Sequence, residues 1–436
     1  MVPKWILPVA VGVLLVTAGC AELSPGSPEP STTGVDPTGD GTTDGPATTE
    51  TGEATPSESS EPNTTGTGAA GVDGTATPSD RSGTVSVKNG ELPLNATLVF
   101  RRVERLLGVD ADTPEEVRLR TPATIRFTPS EQPFERRMGL EAPGDESFRG
   151  DVGGRAFDDA VVLTLWNTTV EEAPRGELEL VLVHEFVHVV QLQREARRDR
   201  EFGAGLPRQV QRSLVEGGAV YVTDVYAREY GVTYGDGRTP IDHRAKDYRE
   251  RPPTSVAGTG PYYFGGRYFD RRLDDPADLW AAYEDPPETM AEVIHGPGID
   301  PTAPLSVDVD APDREYERRG TLGEGVLRAM FRSELDGDVA ATAAAGWSND
   351  TLVRFEGDRL DFAWVLRWTD ADEADAFENA MAELADRRSE DVYGGFETVR
   401  VAPETVVVLT GTDPFLGNAT ASGTNGTVTV TVDGSG

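Results

Sequence analysis

The sequence predicts an α+β protein, on three observations. Two long apolar stretches, 178–192 and 206–230, end in polar flanks and are too long for strands, so they read as helices. Shorter alternating runs before them, at 117–127 and 159–166, read as strands. Beyond residue 350 the mixture returns in another order: strands at 351–355 and 360–368, a helix at 370–387, strands at 396–401 and 405–409. The expected plan is a main domain with a mixed sheet over 85–300 and a smaller α+β unit over 301–410.

Residues 1–19 read as a secretory signal. Lys4 is the basic start, 5–16 are apolar, and Thr17-Ala18-Gly19 are small. The apolar run is short for a bilayer span. Cys20, the only cysteine in 436 residues, follows directly, where a lipobox cysteine would carry a lipid after cleavage. The plainer alternative is an incidental cysteine beside an ordinary cleavage site. With one cysteine, no disulfide forms within the chain. Lipid on Cys20 would place the protein at the cell surface, on the outer face of the cytoplasmic membrane. Residues 20–84 hold Ser, Thr, Gly, Pro, Asp and Glu, with no aromatic residue and Arg81 as the only base, and read as a disordered acidic tether. Glycosylation sequons begin at Asn63, Asn95, Asn167, Asn349, Asn418 and Asn425, which suits an exported protein.

Residues 98–107 have helical apolar spacing, and the alternating run 117–127 stops before Pro129. The next helix has to be argued, because 178–192 is rich in Val and Leu and would also suit a buried strand. It contains His184-Glu185-Phe186-Val187-His188. In a strand, His184 and His188 would lie about 13 Å apart, at ~3.3 Å per residue. On a helix, positions i and i+4 share a face roughly 5–6 Å apart, so two imidazoles can meet one metal ion. Glu185, beside the first histidine, is placed to take a proton from a water held by that metal. The chain has only four histidines, so two at this spacing weigh against surface or capping residues.

Glu216, in Leu214-Val215-Glu216-Gly217-Gly218-Ala219, is the candidate third ligand. Two imidazoles and a carboxylate leave a position open, as a catalytic zinc requires. Alone, Glu216 would pass for a surface glutamate on an amphipathic helix. The small residues after it are expected to let this helix approach the histidine helix. Residues 239–251 are polar and partly helical, and His243, between Asp242 and Arg244, reads as exposed, with a role behind the metal ligands or at an oxyanion as the alternative. Residues 260–273 form a tyrosine-rich helix. Tyr262 or Tyr263 could donate to a tetrahedral intermediate, with Tyr221 and Tyr226 as rivals and core packing as the plain reading of each. His295 reads as a helix C-terminal residue facing free carbonyls.

These residues resemble the gluzincin branch of zinc metallopeptidases, which takes its third ligand from a Glu on the helix after His-Glu-x-x-His. Pro261-Tyr262-Tyr263-Phe264-Gly265-Gly266 resembles the helix that follows in the peptidase-MA-like families, and the chain as a whole is similar to haloarchaeal surface lipoproteins. The resemblance covers 161–295. It implies a metallopeptidase-like domain holding Zn(2+) on His184, His188 and Glu216, with Glu185 as general base. It also implies that the strand 159–166 rims the cleft and can take an extended peptide on its edge; a sheet strand with no substrate contact is the alternative. Many gluzincins carry an Asp one turn after the ligand Glu, orienting a zinc histidine. Val220 stands there, and Asp224, one turn further, is the substitute on offer.

Residues 300–318 are acidic and punctuated by proline, hence a connector; 319–335 and 339–346 are helical; 411–436 is a polar tail with at most a weak strand at 428–432. The expected function is hydrolysis of extracellular peptides or proteins. The alternatives are a non-catalytic surface binding or adhesion protein on the same scaffold, and a stalk module with a structural metal. The net charge of −35 argues against nucleic acid as a partner. With lysine only at positions 4, 88 and 246, it is the surface of a protein kept hydrated in concentrated salt. At 1 M salt the Debye length is about 3 Å and self-repulsion is screened. Lowering the salt should therefore unfold the fragment that starts near Val85; circular dichroism followed through a salt dilution tests this, and an undiminished signal would refute it.

Overall fold

The computed structural model describes residues 83–121, 133–140, 152–166, 168–198, 200–251, 256–297, 302–357, 359–388 and 394–434. The expected signal, the expected tether up to residue 82, Cys20, Asn63, Asn167 and the second half of the run 117–127 lie outside them. The fold is mixed α+β.

The first lobe starts with β1 (Ser86–Lys88), α1 (Ala96–Leu106), β2 (Glu116–Arg120) and α2 (Pro133–Arg137), followed by β3 (Val152–Ala156) and β4 (Ala160–Leu165). Asn95 caps α1, its side chain accepting from the N–H of Leu98 at 3.0 Å. The sheet order is β1-β2-β4-β3, with β1, β2 and β4 parallel and β3 antiparallel to β4. Residues 159–166 do form a strand, but β4 sits between β2 and β3 and has no free edge. The edge belongs to β3, a strand the sequence does not advertise, with β4 as its one strand partner among the described residues.

Against this sheet lies α3 (Arg175–Arg198), the histidine helix, then α4 (Arg208–Tyr230), α5 (Pro240–Glu250), α6 (Val256–Arg272), α7 (Leu279–Ala282) and α8 (Met290–His295). The Val and Leu content of α3 has a packing reason. Leu182, Val183, Phe186, Val187, Val189 and Val190 are all fully buried, so this stretch has no solvent face to carry polar residues. Phe100 of α1 meets Phe186 edge to face at 5.2 Å.

The small residues after Glu216 serve a different neighbour from the one expected. A Cβ on Gly217 would lie 2.4 Å from the backbone of Gly265 on α6, and one on Gly265 would lie 2.3 Å from the Ser213 carbonyl oxygen. Gly217 and Gly265 thus bring α4 and α6, not α4 and α3, to backbone contact. Gly218 makes room for the Tyr283 hydroxyl.

The second lobe holds β5 (Ser306–Asp310), β6 (Tyr316–Arg318), α9 (Glu324–Phe331), α10 (Gly337–Ala344), β7 (Trp347–Phe355), β8 (Asp361–Trp368), α11 (Ala371–Arg388), β9 (Gly395–Ala402), β10 (Thr405–Gly411), α12 (Asp413–Asn418), β11 (Ala419–Gly423) and β12 (Thr427–Val432). The connector expected over 300–318 contains two strands, and the expected tail contains two strands and a helix. An antiparallel sheet, β6-β7-β8-β10-β9, carries helices on one face and the sheet β11-β12-β5 on the other. Both faces are buried: Trp364, Leu366, Val406 and Val408 meet the helices, while Val365, Val407 and Leu409 meet Val428 and Val430 of β12. The helix expected from 319 starts at 324, because the buried Asp350 carboxylate accepts the N–H groups of Leu322 and Gly323, each at 2.7 Å, and fixes the chain ahead of α9. His295 does not face free carbonyls; its Nε2 meets the buried Glu324 carboxylate of α9 at 2.9 Å and ties the lobes together.

The sequons differ in freedom. Asn95 is exposed. Asn349 donates to the Ala303 carbonyl at 2.8 Å, Asn418 donates to the Pro414 carbonyl at 2.9 Å, and Asn425 accepts from the Glu404 N–H at 3.0 Å.

Replacing Gly265 with Ala should destabilise the first lobe by about 3 kcal/mol, the upper end for overpacking, because the obstacle is backbone rather than a yielding side chain. Denaturant unfolding in high salt measures this, and unchanged stability would mean that α4 and α6 stand further apart.

Candidate metal centre

On α3, one turn separates His184 from His188, and Glu216 reaches them from α4; the three residues are 9%, 6% and 3% exposed. The Nε2 atoms of the two imidazoles are 3.1 Å apart, and Glu216 Oε2 lies 3.3 Å from that of His184 and 3.1 Å from that of His188. A tetrahedral site with bonds of about 2.0 Å has ligand-to-ligand edges of roughly 3.3 Å. The triangle already has that size. Among the described residues this is the one group of three or more such side chains able to share a metal ion.

Charge in the triad is uneven. Burial lowers the His184 imidazole to about 4, against the hydrogen bond that the Glu216 carboxylate accepts from it. Burial also pulls His188 down, but the Glu216 carboxylate, by charge and hydrogen bond, and then Glu185 and Gln191 carry it up to about 9. Glu216 stays well below the usual carboxylate range despite its burial, because His188 and His184 stabilise its charge. At neutral pH a proton on His188 therefore faces Glu216, in the place a metal dication would take.

Gln191, one turn past His188, orients it. Its Oε1 is 2.5 Å from His188 Nδ1, and its Nε2 donates to the Val215 carbonyl at 2.9 Å and the Tyr283 hydroxyl at 2.7 Å. Because Oε1 can only accept, Nδ1 carries a proton and Nε2 is the atom left for the metal. Asp224 does not have this role. It accepts from the N–H of Ile241 at 2.9 Å and pairs with Arg228 at 3.1 Å, holding the start of α5.

Glu185 is 3% exposed, and its Oε2 is buried without a hydrogen-bond partner. Burial raises it to about 7, with His188 opposing and Glu216 adding, and it accepts from the N–H of Ala156 on β3. A Cβ at Gly154 would fall 2.3 Å from its Cγ. Val152–Ala156 is thus the strand that closes over Glu185, and Gly154 is what lets it come so near.

Tyr262 stacks on His184 with ring centres 6.1 Å apart, and its hydroxyl hydrogen-bonds Glu216. Tyr263 points elsewhere, stacked on Tyr248 at 5.3 Å in the core of the second lobe. Tyr221 donates to the Leu273 carbonyl at 3.1 Å and Tyr226 to Glu179 at 2.7 Å, both away from the triad. His243 is half-buried rather than exposed, stacked on Tyr234 at 4.0 Å. Two residues that sequence reasoning passed over flank Tyr262: the guanidinium carbons of Arg244 and Arg212 lie 5.0 and 6.0 Å from its ring centre. The signal for Arg212 was its spacing, since four residues before Glu216 is the same face of α4. Arg244 gave none.

A family model described as a domain of unknown function, DUF8575, matches residues 313–435, within the second lobe and clear of every residue of the triad. No curated protein matches the chain. No solved structure matches it.

Metal binding must displace the proton that Glu216 holds on His188. Affinity for a divalent ion should fall about tenfold for each pH unit below about 9. Metal titrations between neutral pH and the high end of this range give the slope; a flat response would mean that both imidazoles are already neutral in the metal-free protein.

Proposed function

We propose that this is a zinc metallopeptidase of gluzincin type, exported, lipid-anchored through Cys20, and acting on extracellular peptides or proteins in concentrated salt. One observation carries the reading: two Nε2 atoms and a carboxylate oxygen at tetrahedral spacing, with a buried, unpartnered carboxylate oxygen of Glu185 beside them. Two nitrogen donors and one oxygen donor in a buried site suit zinc. Zinc bound there supplies a Lewis acid and makes water more acidic.

The remaining work falls to this chain's side chains. Glu185 takes a proton from the attacking water and returns it to the leaving amine; held at about 7 by burial, it is matched to both transfers near neutral pH. The hydroxyl of Tyr262, whose ring stacks on His184, is the donor for the charge that develops on the former carbonyl oxygen. The edge of β3, unpaired among the described residues, suits an extended peptide joined by main-chain hydrogen bonds, with Gly154 setting the distance from that peptide to Glu185.

Glu185→Gln should reduce peptide turnover by at least about 10²-fold while zinc content stays at one equivalent, and Tyr262→Phe should cost roughly 10²–10³-fold in turnover. Metal analysis beside a peptide-cleavage assay of the soluble protein decides this. Zinc without cleavage in the unaltered protein would point to a binding scaffold instead, and absence of zinc would end the proposal.

A further inference from the structure

We propose that Arg212 and Arg244 form a carboxylate-binding subsite beside the metal triad, so that the protein takes peptides bearing a negative charge close to the bond at the metal. The inference rests on the peptidase reading for the word peptide, and on the two arginines for the charge.

Both guanidinium groups lie against Tyr262, whose ring stacks on His184. Arg212 comes from α4, one turn ahead of Glu216, and Arg244 from α5, so they reach one side of the site from two elements. Both are half-buried. Arg244 gives one hydrogen bond to Asp247, at 3.2 Å. Arg212 has no ion pair among the described residues; its one hydrogen bond runs to the Gly258 carbonyl at 3.5 Å. A guanidinium has five donors, and one partly withdrawn from water needs acceptors. In a chain of net charge −35, acidic partners are plentiful. Elsewhere in the molecule arginines have found them: Arg314 meets Asp361 at 2.9 Å, and Arg328 meets Glu324 at 2.7 Å. Arg212 is left open beside the triad, and a planar carboxylate is the ligand its fork fits.

Packing against Tyr262 alone would leave both arginines indifferent to charge in the ligand. The subsite predicts discrimination. Two peptide groups share the chemistry, the C-terminal carboxylate and an Asp or Glu side chain, and matched peptides separate them.

The test uses the zinc-loaded Glu185→Gln protein, full chain, in high salt, so that binding is read without cleavage. The probes are short peptides identical except for Glu or Gln at one position, each made as the free acid and as the C-terminal amide. The expected result is that the charged member of one pair binds about tenfold or more tightly than its neutral twin. Adding Arg212→Ala or Arg244→Ala should close that gap. A gap between acid and amide assigns the terminal carboxylate; a gap between Glu and Gln assigns the side chain. Arg212→Gln, which keeps a donor for Gly258, replaces any alanine variant that no longer holds zinc. No gap, a gap that survives both substitutions, or no peptide binding at all overturns the subsite. Cleavage by the unaltered protein without a gap leaves the peptidase and removes the subsite; a gap without cleavage does the reverse.

Discussion

Two imidazoles and a carboxylate held within 3.3 Å of one another and away from water call for a positive charge between them. That requirement organises the first lobe. It needs α3 to be a helix, since only then do His184 and His188 share a point. It needs α4 to deliver Glu216 to the same point, and Gln191 to fix which nitrogen of His188 faces inward. The proton on His188 meets the requirement in the metal-free protein, so the site is built around a charge that a cation can replace.

How legible this was depends on whether a residue's role is local. The two histidines declare a helix because any other backbone would separate them, and that geometric demand outweighed a β-branched composition. The long helices and alternating strands of the second lobe were legible for the same reason, each pattern being complete within its own segment. What escaped depends on partners far along the chain. Val152–Ala156 has two glycines and little strand propensity; it is a strand because β4 pairs with it, and its glycine is there because Glu185 needs the space. Gln191 has no visible role until Tyr283, distant in sequence, is beside it. Residues 306–310 read as an acidic connector because alternate side chains face water, and only pairing with Thr427–Val432 shows the other face to be core. The same pairing turns an apparent tail into a packed layer of the second lobe.

The charge of the chain and the charge of the site have opposite logic. Across the chain a net charge of −35 repels itself, and salt screens that repulsion. At the triad, two arginines and the charge-demanding ligands make a local exception. Screening is weakest there, because the groups are partly removed from solvent. The proposed selectivity, built on contact hydrogen bonds, would therefore survive in salt that abolishes long-range steering.

The second lobe bears on the site through one helix of the first lobe, α6. On α6, Tyr262 faces the triad while the next two residues, Tyr263 and Phe264, pack with Tyr248 at the core of the second lobe. Successive residues on a helix point about a quarter-turn or more apart, so α6 can stand between lobes and serve both. Its other neighbour is α4, held at backbone contact through Gly217 and Gly265. A shift of α6 toward the second lobe would open that contact and draw Tyr262 off His184; a shift the other way is blocked by backbone. The ring that walls the site is thus positioned by packing on both sides, and the lobe matched by the domain of unknown function bears on the triad through the placement of α6 without lending it a residue.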